Sequence, residues 1–375
     1  MWYLIIGALA GVFAGGLIYI SFRAAKLEPV RHITCGRKGL ARLLSLAAFL
    51  AIAALLCAVW NLMNALVCIV HLVLFWLICD LASFIINKAR RRRPGHYRAG
   101  YFALILCALY LAGGWFALHH VWTTPYALNT EKPVGSLRIV QITDAHMGTT
   151  LDADDLRAYV AQINALSPDV VAVTGDFVDD DTSRTDMLGG CAALGELQAR
   201  YGVFFAYGNH DKGYSSEAAK GWNNAEFHDA LLSNGVVPLE DAAQLIDDRF
   251  YIVGRQDRSE GQRGRSRESA ERLLSGLDHQ KYIIVRDHQP HDFDAEAEAG
   301  ADLVLCGHTH GGQFIPINHV GEWIGENCLR YGHERRIGTD FIVSSGISNW
   351  AFQFKTGCHS EYTVIDIRGT DAFQP

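Results

Sequence analysis

The segment Cys306-Gly307-His308-Thr309-His310-Gly311-Gly312-Gln313 follows the short apolar run Leu303-Val304-Leu305 and sets two imidazoles one residue apart. Side chains alternating in this way can reach two different metal ions, and glycine lets the backbone crowd close to them. Three earlier apolar runs end similarly: Ile139 to Thr143 into Asp144-Ala145-His146, Val170 to Thr174 into Gly175-Asp176-Phe177-Val178-Asp179, and Val203 to Tyr207 into Gly208-Asn209-His210-Asp211. A fifth, Ile283 to Val285, leads to Asp287-His288. Carboxylate, imidazole and amide donors without a cysteine cluster suit hard or borderline divalent ions, gathered where strands end at the carboxyl edge of a sheet.

In order, these are Asp-x-His, Gly-Asp-x-x-Asp, Gly-Asn-His-Asp, a separated His and Gly-His-x-His, spanning residues 144 to 310. The pattern resembles that of the calcineurin-like metallophosphoesterase superfamily, over essentially all of residues 136–370. The Gly307-to-Gln313 form is similar to that of the membrane-associated bacterial branch of YkuE-like and YaeI-like phosphoesterases. The resemblance implies that Asp144, His146 and His310 hold one ion, that Asn209, His288 and His308 hold a second, and that Asp176 bridges them. It further implies His210 as proton donor to the leaving oxygen or stabiliser of its charge, Asp179 as the group orienting His210, and attack on phosphorus by a hydroxide bridging the ions. Asp211 reads as structural. Asp287 and His291 flank His288 as alternative ligands, and no role is assigned to His228, His279, His319 or His359. The two divalent ions could be manganese, zinc or iron, since the donor set does not separate them.

The elements that must position these residues alternate from about residue 136 onward. Strands are expected at 137–143, 169–174, 203–207, 236–239, 250–254, 282–285, 302–305, 341–345 and 361–367. Helices are expected at about 152–166, 187–199, 216–233 (opened by Ser215 or Ser216) and 268–277. Repeated βα units predict a layered α/β domain, and the later strands, with less helix between them, predict a second sheet packed on the first. The family resemblance implies a four-layer α-β-β-α arrangement.

The chain is 375 residues long and 50% hydrophobic. Its charge is divided, with 12 Lys/Arg against 2 Asp/Glu in residues 1–120 and 21 against 38 in the remainder. The acidic part, 121–375, is long enough for one sizeable domain, and its charge argues against nucleic acid as a partner. The basic part predicts an all-α transmembrane region of four helices, with spans of about 2–20, 40–60, 65–87 and 100–119. Residues 1–122 are thus a membrane region, 123–135 a linker and 136–375 the metallophosphoesterase domain. Asn61 and Asn64 mark the turn of a helical hairpin, and Asp80 is expected either to face a polar partner such as one of them or to lie near the interface. Basic residues crowd the first and third loops, the Arg90–Arg93 run included. This predicts a multi-pass membrane protein with its catalytic domain extracytoplasmic, and the resemblance implies that the membrane is a bacterial inner membrane. Trp115, Trp122 and Tyr126 fit an interfacial belt.

Three segments stay open at this stage. Five arginines at 255, 258, 263, 265 and 267 form either a solvated loop or a clamp on a substrate headgroup or an anionic membrane surface. After Ser345-Gly346-Ile347, where members of the branch often carry an arginine some way on, this chain has Trp350, Phe352 and Phe354, one face of a buried strand or rings lining the site. Cys328 and Cys358 could pair in an exported domain. The reading is a membrane-anchored dinuclear phosphohydrolase cleaving phosphodiester, phosphomonoester or pyrophosphate bonds of a phosphorylated small molecule, a lipid or a cell-envelope substrate. Membrane lipids, a membrane protein partner or a homo-oligomer would be its surroundings. The alternatives are a cytoplasmic-facing nucleotide-sugar-lipid pyrophosphatase and a catalytically inactive membrane binding or scaffold protein.

Overall fold

The computed structural model describes residues 2–91, 96–213 and 217–370. The chain folds as two units, residues 1–115 with 351–353 and residues 116–350 with 354–375. Arg92 and Arg93 of the basic run, and the helix opening expected at Ser215 or Ser216, lie outside the described residues.

The first unit is helical, with α1 (Trp2–Ala24), α2 (Glu28–Ile33), α3 (Lys38–Val59), α4 (Leu62–Ala89) and α5 (Ala99–His119), whose last turn runs into the second unit. Among the described residues α3, α4 and α5 are long and apolar enough to cross a membrane. The break between α3 and α4 falls where the asparagines stand. The Asn61 side chain accepts the Asn64 N–H at 2.8 Å and so starts the new helix, because it satisfies a donor that the first turn leaves free. Ile20, Phe49, Ile69, Trp76 and Ala103 form a small core between helices. Asp80 does not face the asparagines. It accepts from Tyr97 Oη at 2.8 Å and pairs with Arg23 and Tyr19, which suits a carboxylate in an apolar helix, since a guanidinium answers its charge and an asparagine cannot.

Among the described residues the second unit has twelve strands: β1 (Val121–Asn129), β2 (Ser136–Ile142), β3 (Val170–Thr174), β4 (Val203–Ala206), β5 (Val236–Pro238), β6 (Ala242–Ile246), β7 (Phe250–Gly254), β8 (Tyr282–Arg286), β9 (Leu303–Cys306), β10 (Gly332–Arg336), β11 (Thr339–Val343) and β12 (Ser360–Arg368). They make two six-stranded sheets, ordered β1-β12-β2-β3-β4-β5 and β10-β11-β9-β8-β7-β6. In the first, β2 to β5 are parallel; in the second, β7, β8, β9 and β11 are. The sheets meet face to face through Ile139, Val170, Ala172 and Phe204 from one and Phe250, Ile252, Ile284 and Leu305 from the other. Outside the first sheet lie α6 (Ala153–Ala165), α7 (Arg184–Gly195) and the helix Asn224–Ser233, burying Leu156, Val160, Met187 and Phe227. The helices Ala270–Leu274 and Phe293–Glu298 cover the second through Leu274 and Phe293. These are the four layers α-β-β-α. Central strands buried on both faces explain why β3 reads as an unbroken apolar run.

The differences from expectation lie at the edges. Residues 123–135, expected as a linker, contain most of β1, which pairs in parallel with β12 from Val121↔Ser360 to Asn129↔Arg368. Its Pro125 and half-exposed face are what an edge strand tolerates. Trp122 and Tyr126 therefore belong to a sheet. Edge strand β10 escapes the apolar pattern, reading Gly-His-Glu-Arg-Arg, because charged edges discourage further pairing. The helix expected over 216–233 is broken at Gly221, whose φ of +76° leaves the helical region, and restarts with Asn223 accepting the Glu226 N–H.

Candidate metal centre and active site

Every sequence-expected ligand follows the carboxyl end of a parallel strand: Asp144 and His146 after β2, Asp176 after β3, Asn209 after β4, His288 after β8, and His308 and His310 after β9. The two sheets thus present their loops at one rim. The turns are tight. Asp144, His146, Asp176, His308 and His310 all have positive φ, between 42° and 69°, which non-glycine residues adopt only when their surroundings hold them there. Glycines permit the crowding: a Cβ on Gly307 would lie 2.1 Å from Thr143 Oγ1, and one on Gly208 2.2 Å from Asp176 Oδ1.

Two groups result. Asp144, His146 and His310 can offer donor atoms within 4.8 Å of one another, and so can Asp176, His288 and His308. Asp176 Oδ2 lies 2.9 Å from His288 Nε2 and 3.9 Å from His146 Nε2, so one carboxylate oxygen touches both groups. Asn209 is buried on the same rim, between Gly208, whose N–H goes to Asp211, and His210, whose N–H goes to Asp176 Oδ1 at 2.8 Å. Buried nitrogens of the imidazole groups lack hydrogen-bond partners, notably His146 Nε2 and His310 Nδ1. A buried polar atom left this way is costly unless something coordinates it, and with two aspartate-histidine donor sets converging the site fits divalent cations.

The surroundings orient these groups. His288 Nδ1 lies 2.7 Å from Thr174 O, which places the ring proton there and turns Nε2 toward Asp176. His146 Nδ1 lies 3.2 Å from Asp179 Oδ2. Asp179 was expected to orient His210; its hydrogen bond to an imidazole goes to His146, while its other oxygen takes the Asp181 N–H. Asp211 accepts N–H bonds from Asp176, Phe177, Val178 and Gly208, which ties the β3 and β4 turns together. Burial and the neighbouring Asp176 push its carboxyl up to about 7. Burial opposes charge on Asp176 as well, but His288, His210 and His146 outweigh it and hold the group well below the carboxylate range. Burial, with His146 and Lys355 nearby, drives His310 well below the ordinary imidazole value, and burial lowers His210 too. His310 is thereby favoured in the neutral form, the form a ligand needs.

The open alternatives resolve. Asp287 pairs with Arg255 and Arg267, and His291 Nδ1 lies 3.2 Å from Glu326 O, so neither joins the ligand groups. Each of the five arginines in the loop has a carboxylate partner among the described residues. Arg255 meets Asp287, Asp292 and Glu296; Arg258 meets Glu326; Arg263 and Arg265 meet Glu260; Arg267 meets Asp287. Arg263 also donates to Asn209 O at 2.8 Å, bracing the β4 turn. Cys328 and Cys358 are free thiols, donating to His291 O and His310 O. Residues 349–359 form no strand, and the Trp350 ring sits 5.4 Å from that of His210.

One contributor was missed from sequence. Lys355 is fully buried and donates to Ser345 O at 2.6 Å and Gly346 O at 3.2 Å, and the Ile347 and Ser348 N–H groups of that loop bond to Thr143 O and Asp144 O. It clamps the loop over Asp144. The available signal was a lone cation at the end of an aromatic run.

A calcineurin-like phosphoesterase family profile matches residues 137–312, the stretch that supplies all seven metal-ligand candidates. Within this stretch the chain carries a calcineurin-like phosphoesterase domain. A transmembrane protein with metallophosphoesterase domain from Danio rerio is 31% identical over 60% of this chain and 52% of its own length. The metallophosphoesterase YkuE of Bacillus subtilis is 26% identical over 76% of this chain and all of its own. The chain thus spans about half the length of the zebrafish relative and the whole of the bacterial one. Among solved structures, a dimetal phosphatase from Danio rerio aligns with 57% of this chain and 88% of its own, at 16% identity and a TM-score of 0.36.

Proposed function

We propose that the phosphoesterase domain hydrolyses a phosphate ester or anhydride with two divalent ions, and that its substrate is a phosphorylated lipid or cell-envelope molecule. The observation that carries this is the position of Asp176 Oδ2, within reach of His288 Nε2 at 2.9 Å and His146 Nε2 at 3.9 Å. Asp144, His146 and His310 would hold one ion and Asn209, His288 and His308 the other, with Asp176 between them. Manganese, zinc and iron all suit these donors. Bound there, the ions would supply an activated water and positive charge opposite the equatorial phosphoryl oxygens.

His210 has its ring 5.2 Å from that of His146 and, kept neutral by burial, offers an N–H to the leaving oxygen. Asp179 and the Thr174 carbonyl fix the imidazoles of His146 and His288. Trp350, against His210, gives the leaving-group side an apolar wall, which supports a lipidic leaving group. With α1 as a fourth span and the basic loops on the cytoplasmic side, the domain would lie on the far side of a bacterial inner membrane.

The test is hydrolysis by detergent-solubilised full-length protein, stripped and reloaded with manganese or zinc, against a chromogenic monoester, a chromogenic diester and dispersed phospholipids and lipid pyrophosphates. Faster turnover of lipids, abolished by Asp176→Asn, supports the reading. Turnover of soluble esters alone sinks the lipid assignment, and no turnover with two ions bound sinks the catalytic one.

A further inference from the structure

The helical unit contains a cavity of about 970 Å3 between the end of α1, the start of α3, the end of α4 and the segment leading into α5. None of the metal-ligand candidates lines it. Eight basic side chains do, against two carboxylates, Glu28 and Asp80. Both carboxylates are already engaged. Asp80 is held by Arg23, Tyr97 and Tyr19, and Glu28 Oε1 lies 2.5 Å from His96 Nδ1. Among the described residues, Arg31, Arg42, Lys88 and Arg98 on the walls have no carboxylate partner, and residues 1–120 contain no third acid to provide one.

Gathering so many like charges around one concavity is unfavourable unless an anion answers them, increasingly so near the low dielectric of a bilayer. Two of the cations are also held in place. The Arg42 guanidinium lies 4.3 Å from the centre of the Phe22 ring and the Lys88 ammonium 5.9 Å from that of Phe84. The apolar outer face of α4 runs up to this rim, with Leu81 60% exposed, Phe84 62% and Ile85 55%. A polar anionic head in the cavity would therefore leave attached acyl chains along an apolar surface. With α3 and α4 crossing as a hairpin, the contributing loops, between α1 and α3 and between α4 and α5, would open on the same side of a membrane.

We infer that this cavity binds the phosphate-bearing headgroup of an acidic membrane lipid. A free phosphate shares the head chemistry but gains nothing from the α4 face, and this difference separates the two sources. Each Lys or Arg facing an anionic lipid contributes about 1 kcal/mol, or about fivefold in affinity.

The experiment uses full-length Asp176→Asn protein in neutral detergent, so that turnover does not consume the probes. Binding of short-chain phosphatidylglycerol, short-chain phosphatidylcholine and inorganic phosphate is compared for the parent, Arg42→Gln with Arg98→Gln, and Arg90→Gln, a neighbouring arginine outside the cavity. The expected result is phosphatidylglycerol binding preferred over the other two, weakened about 25-fold by the double substitution and less than twofold by Arg90→Gln. Equal affinity for free phosphate overturns the lipid assignment. Equal losses in both variants reduce the site to diffuse surface charge and overturn it too, as does absence of binding. Should the double variant fail to fold by circular dichroism, Lys88→Gln alone is measured, with about a fivefold loss expected. Phosphoesterase activity plays no part in the readout, so failure of the catalytic proposal leaves this result interpretable.

Discussion

Nδ1 of His146 lies 3.2 Å from Oδ2 of Asp179, and the Asp179 carboxylate is buried and further anchored by the Asp181 N–H and Thr182. Such a partner fixes the tautomer and raises the basicity of a metal-binding imidazole. Asp179→Asn should therefore lower affinity for one of the two ions by about 10–100-fold. Metal titration followed by elemental analysis would show one equivalent lost before the other. Retention of both ions at wild-type affinity, with only the leaving-group dependence altered, would return Asp179 to the support of His210.

Asp211 acts on the backbone. Its two oxygens accept four N–H groups, from Asp176, Phe177, Val178 and Gly208, all of them buried. An asparagine has one accepting oxygen and would leave at least one buried N–H facing an amide donor. About 3 kcal/mol of stability should be lost. For a domain of this size that is about 6–12 °C in melting temperature. Asp211→Asn melting within 2 °C of wild type in thermal denaturation would show that the turns hold without it.

Trp350 faces His210 across 5.4 Å on the leaving-group side of the proposed site. If that ring packs on an acyl or isoprenoid portion, Trp350→Ala should raise KM for a lipid phosphate by about tenfold, the loss expected for one desolvated aromatic contact. A small chromogenic monoester, too short to reach the ring, should be hydrolysed as before. Equal effects on both substrates would assign Trp350 to positioning His210 instead.

The metal-binding rim was legible in sequence because ligands must follow strand ends, and central strands of stacked sheets are apolar on both faces, as β3 and β9 are. The hairpin break at Asn61 was legible because a capping side chain has a fixed preference. What escaped depends on contacts between distant residues. β1 reads as a linker until β12, over two hundred residues later, pairs with it. The partners of the five arginines from Arg255 to Arg267 lie as far away as Glu326, so composition alone left a surplus of charge that the fold removes. Lys355 announces no role until its ammonium is seen on the Ser345 and Gly346 carbonyls.

Glu260 provides the pH-dependent prediction. It is wholly buried within the arginine loop, 2.8 Å from Arg263, 3.1 Å from Arg265 and 3.5 Å from Lys212, and Arg263 in turn holds Asn209 O. Burial by itself would raise the Glu260 carboxyl, but Lys212, Arg263 and Arg265 outweigh it, and the folded value lies below the ordinary one. A carboxyl depressed in the folded state stabilises fully above its unfolded pKa and loses that contribution as pH falls through the folded value. Glu260→Gln should therefore melt several degrees below wild type at pH 7, and the gap should narrow once the pH drops below about 4, where an unfolded glutamate takes up its proton. Both proteins lose metal-site stability in acid, but that loss is common to them and cancels in the difference. Thermal scans of the two full-length proteins between pH 7 and pH 3.5 decide it: a gap that stays constant, or widens in acid, would mean that the Glu260 charge does not hold the loop beneath Asn209.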